Sequence, residues 1–196
     1  MANKVFISFR FADGKSYKDQ LVEKFEELDY TINKSEDEDR SEQSESTIQK
    51  YLYEKLADTS LTVVILTPEA IEYHRSQNKI DDWLYDELRY SLEDREGNRT
   101  NGAIALYTPD AKSFVIVSET EEVITIADFE NLVRKNMLNV KPDYKYCPTE
   151  GRWNSMKDSY ISLVSFDKFM NSPKQYIDSA LEKRDRIGEF DLVKRM

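Results

Sequence analysis

The chain has 196 residues, enough for one domain with an insertion, and although hydrophobic types make up only 39%, an aromatic content of 12% argues against wholesale disorder. Lys and Arg total 28 against 38 Asp and Glu, a net charge of −10 that excludes a nonspecific nucleic-acid binder, because phosphates need cations. A single Cys147, a single His74 and five glycines without phosphate-loop spacing exclude an internal disulfide, cysteine or histidine zinc sites and Gly-rich nucleotide cradles.

Val5 to Phe9 is a short apolar β-forming run, read as a buried strand. The spacing of Tyr17, Leu21, Phe25 and Leu28 predicts a helix from Ser16, with Ser16 and Asp19 as a capping pair. Tyr30 to Ile32 is a second short strand, and the run Lys34 to Glu42, with no hydrophobic residue, is a solvated loop. Ser46 and Gln49 form a capping box for a helix striped by Ile48, Tyr51, Leu52 and Leu56. Leu61 to Leu66 is nearly all apolar, as expected of a central strand in a parallel sheet covered on both faces. A helix follows Asp81 and Asp82, striped by Leu84, Leu88 and Leu92, and Gly102 to Leu106 is a fourth strand.

Beyond Tyr107 the alternation breaks. Phe114 to Val117 and Val123 to Ile126 are expected to form a hairpin or separate short strands, and Phe129, Leu132, Val133 and Met137 to lie on a helix. Residues 139–158 are irregular, with Tyr144, Tyr146 and Trp153 expected to pack that segment. Tyr160 to Val164 is a fifth strand, and Ser172-Pro173-Lys174-Gln175 opens a last helix running to about Ile187, with Gly188 ending it. The alternation predicts one α/β domain over 1–196: a three-layer, flavodoxin-like fold with a central, mostly parallel five-stranded sheet and an insertion at about 108–158 before the last strand. No apolar stretch approaches the roughly 18 residues of a membrane span, and the first ten residues lack a signal-peptide core. The expectation is a cytoplasmic chain with no membrane and no nucleic-acid partner.

In such a sheet, ligands bind beyond the C-terminal ends of the strands, where strand order reverses. Phe9-Arg10-Phe11, after the first strand, and the helix after the third strand are therefore candidate site elements. Trp83 and Glu87 are four residues apart and share a helical face. At about 100° per residue, Glu87 lies roughly 60° off the Leu84/Leu88 stripe, flanking the core without being buried in it. By residue type alone, Glu87 is one of 38 acids, most of them solvated, and Trp83 is the edge of the core. Arg10 is then a surface ion-pair partner, and the acidic run a solvated face rather than a metal site.

Lys4-Val5-Phe6-Ile7-Ser8-Phe9-Arg10 resembles the first strand of Toll/interleukin-1 receptor (TIR) domains, and Leu61 to Pro68 their central strand. Asp82-Trp83-Leu84-Tyr85-Asp86-Glu87-Leu88 is similar to the W-x-x-x-E helix of NAD-consuming members. The likeness covers roughly residues 4–107, with Tyr160 to Ile187 supplying a final strand and helix. With its insertion before the last strand, the chain is most similar to the TIR-like proteins of bacterial Thoeris antiphage systems. The resemblance implies an enzyme that cleaves the nicotinamide–ribose bond of NAD. Glu87 would be catalytic, with Ser8, Phe9, Arg10, Phe11 and Trp83 binding substrate. NAD is then the substrate, and neither a cofactor nor a metal is implied. It also implies an ADP-ribose-derived, cyclised or conjugated signal for a separate effector protein, a phage-derived trigger, and self-association as a homo-oligomer. A noncatalytic TIR-type interaction module is the alternative, and a flavodoxin-like nucleotide or phosphate sensor, in which Glu87 is replaceable, is a third.

The implied chemistry suits a sparse site. Nicotinamide in NAD is already cationic, so it leaves without a general acid, and the transition state is oxocarbenium-like. One carboxylate placed to hold the ribose hydroxyls and stabilise that charge can suffice. The acidic run after the second strand repels a dianionic pyrophosphate and is expected to keep the protein quiet until triggered.

Overall fold

The computed structural model describes residues 4–28, 30–33, 45–71, 83–94, 99–120, 123–129, 131–149 and 151–196. Strand and helix alternate through β1 (Lys4–Ser8), α1 (Phe11–Glu27), β2 (Thr31–Asn33), α2 (Glu45–Leu56), β3 (Leu61–Leu66), α3 (Pro68–Ile71), α4 (Trp83–Leu92) and β4 (Gly102–Tyr107). The insertion then contributes α5 (Lys112–Val115), an antiparallel hairpin of β5 (Ile116–Glu119) and β6 (Ile124–Ile126), and α6 (Leu132–Lys135). The chain closes with β7 (Ile161–Ser165), α7 (Phe166–Asn171) and α8 (Pro173–Asp185).

The sheet is parallel throughout, in the order β2-β1-β3-β4-β7. Alternate residues of a strand point to opposite faces, which sorts the core into two layers. Val5 and Ile7, with Leu61, Val63 and Ile65, pack beneath α1 and α8. Val64, Leu66, Ala103 and Ala105 pack under Leu84, Leu88 and Leu92 of α4 and against the insertion. Phe6 meets Leu52 and Leu56 of α2 and Tyr90 of α4 on that same face. Burial on both faces is why β3 and β4 carry no alternating polar residues. The chain steps from β1 outward to β2 and then back past β1 to β3, so strand order reverses between β1 and β3. This layering is compatible with a flavodoxin-like arrangement. No helix among the described residues is long and apolar enough to cross a membrane.

Several local expectations are corrected. Helix α1 opens at Phe11 rather than Ser16: the Gly14 amide bonds the Arg10 carbonyl at 2.8 Å, and no side chain caps it. With only Phe9 and Arg10 between β1 and α1, the helix starts as soon as the strand ends, leaving Ser16 in its interior. Helix α2 opens at Glu45, which puts Ser46 in its first turn rather than at its cap. Helix α8 opens at Pro173 and ends at Asp185, but Ser172 makes no side-chain cap bond. The segment with Phe129, Leu132, Val133 and Met137 buries all four, yet only one helical turn forms there, capped by the Asn131 side chain. Tyr144, Tyr146 and Trp153 do not pack the insertion; they are 55%, 53% and 47% exposed. The Lys157 ammonium sits 3.9 Å from the Tyr146 ring centroid and that of Lys145 4.2 Å from Trp153, so cation–π stacking orders these rings at the surface. The acidic run lies outside the described residues.

Two contacts dock α8. A Cβ on Gly102 would fall 2.6 Å from the Ala180 carbonyl oxygen, so only glycine lets α8 approach β4 this closely. Lys183 of α8 is buried, and its ammonium donates to the carbonyls of Ser159 (2.8 Å) and Met156 (3.3 Å) and to Ser162 Oγ (2.6 Å). Three donors thus meet three acceptors. Burial nonetheless pushes the Lys183 pKa down to about 7. The unfolded value is about 10.4, so between those limits the unfolded chain holds a proton that the folded chain has released. Linkage then makes stability rise with pH across that window and level off below it. Urea midpoints at pH 7 and pH 9 should show a gain for the natural chain relative to Lys183→Met, of at most about 1.4 kcal/mol per pH unit.

Candidate active site

The strand reversal between β1 and β3 opens the sheet beside Ser8, the last residue of β1. Ser8 follows Ile7 in the β alternation, so its side chain points to the α4 face, where it is completely buried. There Ser8 Oγ donates to Glu87 Oε2 at 2.5 Å, a short hydrogen bond. Glu87 itself is 5% exposed. This corrects the expectation of a carboxylate flanking the core: the helical-wheel angle is right, but β1 ends beneath α4 and covers that flank. A carboxylate so buried is weakly screened when ionised, and then acts strongly on a cation that reaches it.

Helix α4 is held in register by a buried polar chain. Ser91, one turn after Glu87, donates to the Glu87 carbonyl at 2.8 Å and accepts from Thr62 of β3 at 2.8 Å. The Asn101 side-chain amide donates to Thr62 (3.0 Å) and Thr59 (2.8 Å), and Tyr160 donates to the Asn101 carbonyl at 2.7 Å. Burial raises the Tyr160 pKa far above its ordinary value, keeping the phenol a donor. These positioning residues were not picked out from sequence. Their signal is a hydroxyl or amide at a core-facing position: Thr62 inside an apolar strand, and Ser91 between two stripe leucines' turns.

The segment after β1 is tied to Thr67 and the first turn of α3. Asp13, in the first turn of α1, accepts from Thr67 Oγ1 at 2.7 Å and from the Glu69 amide at 3.4 Å. Arg10 reaches the same turn, donating to the Glu69 carbonyl at 3.1 Å with the Glu69 carboxylate 3.8 Å away. Phe9 is half-buried on the α1 side of the core, with the Lys18 ammonium 5.8 Å from its ring. Phe11 is 44% exposed, 6.5 Å from Phe9 between centroids, with Lys15 5.4 Å from its ring. Ser8 and Glu87 are thus brought into contact, while Phe9, Arg10 and Phe11 line the adjoining loop. Trp83 opens α4, and its side chain lies outside the described residues, as do His74, Asp81 and Asp82.

Among the described residues, no group of three or more His, Cys, Asp or Glu is placed to hold a metal ion. No family model matches the chain. The chemistry on offer is that of one buried carboxylate, fixed by a hydroxyl, at the strand reversal of a parallel sheet.

Ser8→Ala removes the hydroxyl donor from a buried carboxylate and should cost about 1–3 kcal/mol. The loss should appear as a lower urea midpoint with an unchanged transition slope.

Proposed function

We propose that this chain is a TIR-type antiphage-defence enzyme that cleaves the nicotinamide–ribose bond of NAD, with β2 completing a five-stranded sheet of that family's kind. The observation that carries the reading is the buried Ser8–Glu87 pair at the strand reversal, on a helix with the W-x-x-x-E spacing. In this reading Glu87 accepts from the ribose hydroxyls and stabilises positive charge at the anomeric carbon. The C–N bond breaks with its electron pair passing to nicotinamide, which leaves neutral. An acceptor oxygen or nitrogen then attacks the ribose carbon and loses its proton. Water gives ADP-ribose; a nucleophile held in its place gives a cyclic or conjugated ADP-ribose signal for a separate effector. Arg10, just before the N-terminus of α1, supplies positive potential for the pyrophosphate. Phe9, Phe11 and Trp83 supply apolar walls.

The second reading is a noncatalytic TIR-type interaction module. The half-exposed Tyr144, Tyr146 and Trp153 favour it, since such residues anchor protein contacts.

Mass spectrometry of the purified chain incubated with NAD, with and without phage-infected lysate, separates the two. An enzyme should release nicotinamide and an ADP-ribose-type product, and Glu87→Gln should lower turnover by about 10²-fold or more. No turnover in either condition supports the interaction module. Replacing Glu36, Asp37, Glu38 and Asp39 by Ser should raise basal NAD turnover if the acidic run restrains the site; unchanged turnover removes that role.

A further inference from the structure

A second concave site lies at the β7 edge of the sheet, away from Ser8 and Glu87. Its wall is built by Tyr107 at the end of β4, Leu163, Val164 and Ser165 of β7, the β5–β6 hairpin isoleucines, Met156 and Tyr176, with Lys168 at its rim. Three consecutive residues of one strand cannot all face one side of a sheet. The cavity therefore runs along the outer edge of β7, the end strand, which has no further strand beside it in the sheet. Ser8 and Glu87 do not line it, and three strand steps of about 4.8 Å separate β1 from β7, roughly 14 Å.

Size and lining fix the chemistry of an occupant. The cavity measures about 140 Å³. Apolar cavities of about 150 Å³ hold a benzene ring. Two tyrosine rings and a methionine sulfur offer the edge and face contacts that an aromatic ring prefers over an aliphatic chain. Among the described residues, Lys168 is the one charged residue that lines the cavity. Glu119 is shared between Lys112 at 2.7 Å and Lys168 at 3.2 Å, so two ammonium groups face one carboxylate. A second carboxylate arriving there balances the cluster.

We propose that the cavity between β7 and the β5–β6 hairpin is a binding site for a small single-ring aromatic carboxylate, its ring among Tyr107, Met156 and Tyr176 and its carboxylate on Lys168. The site stands on its own geometry, whatever the role of Glu87. It gives the insertion a task, since the hairpin forms one wall and the segment before β7 supplies Met156 and Ser155.

Titration calorimetry on the full chain, with benzoate as probe, tests this. Benzoate should bind saturably with a Kd of about 1 mM or tighter, as its few heavy atoms permit. Benzyl alcohol, which keeps the ring and loses the charge, should bind about three- to tenfold more weakly, and acetate should not saturate. Lys168→Gln should bring benzoate down to the benzyl alcohol level. Two filling variants on separate segments, Ile124→Trp and Ser155→Phe, should each abolish binding of both ring compounds; Ile124 is 43% exposed, so its replacement burdens folding little. The proposal falls if benzoate does not saturate the natural chain, if benzyl alcohol binds equally well, or if a folded filling variant still binds.

Discussion

Polar groups buried in a low-dielectric interior must find partners, and the chain from Tyr160 through Asn101, Thr62 and Ser91 to the backbone of Glu87 meets that demand on the α4 face of the sheet. Leucines alone would let α4 slide along β3, because apolar contacts are non-directional. A hydroxyl-to-hydroxyl bond at 2.8 Å between Thr62 and Ser91 does not tolerate such sliding. It fixes the helix axially, and the Ser8–Glu87 bond then follows from where β1 ends. Core packing supplies the bulk of the adhesion here, while hydrogen bonds supply the register.

The same division holds at the other end of the molecule. Phe169, Ile177 and Ala180 bring α7 and α8 to the sheet, but Lys183 and the glycine gap at position 102 decide where α8 stops. The ammonium reaches across to the segment just before β7, so the last helix and the end of the insertion are held as one unit. Asp13 and Arg10 do the equivalent beside the strand reversal, joining the segment after β1 to Thr67 and to Glu69 in the first turn of α3. Each site wall is thus fixed by a small number of directional contacts laid over a larger apolar layer.

Much of this is visible in the sequence where periodicity is strong. The Leu84, Leu88 and Leu92 stripe and the apolar run of β3 form where expected, whereas the first strand of the insertion is shifted to Ile116–Glu119 because Phe114 and Val115 are taken into α5. Positions set by tertiary contact were not legible. Glu87 has the right angle on its helix, but nothing in the spacing says that Ser8 ends a strand directly beneath it. Helix α1 lacks a capping side chain, so its start at Phe11 leaves no local mark, and Ser16 offers a false one. Helix α7 is a single short element between a strand and a helix, capped by Ser165, and too brief to show a period. Tyr144, Tyr146 and Trp153 look like core by residue type; only the lysines stacked on two of them explain how they remain ordered outside it.

The placement of β7 bears on how the chain folds. β1, β3 and β4 pair in register through connections that each hold a helix, whereas Ala103 of β4 pairs with Ile161 of β7 across the whole insertion. Closing so long a loop costs entropy before any β7 hydrogen bond repays it, and that cost weighs on the rate far more than on the final stability. The entropy of that closure falls on β7 and the α8 that follows it, not on the pairing of β1, β3 and β4. The length of the insertion is therefore a kinetic burden on the sheet, while Val115, Phe129, Leu132, Val133 and Met137, which it contributes to the core, offset that cost in the depth of the folded state.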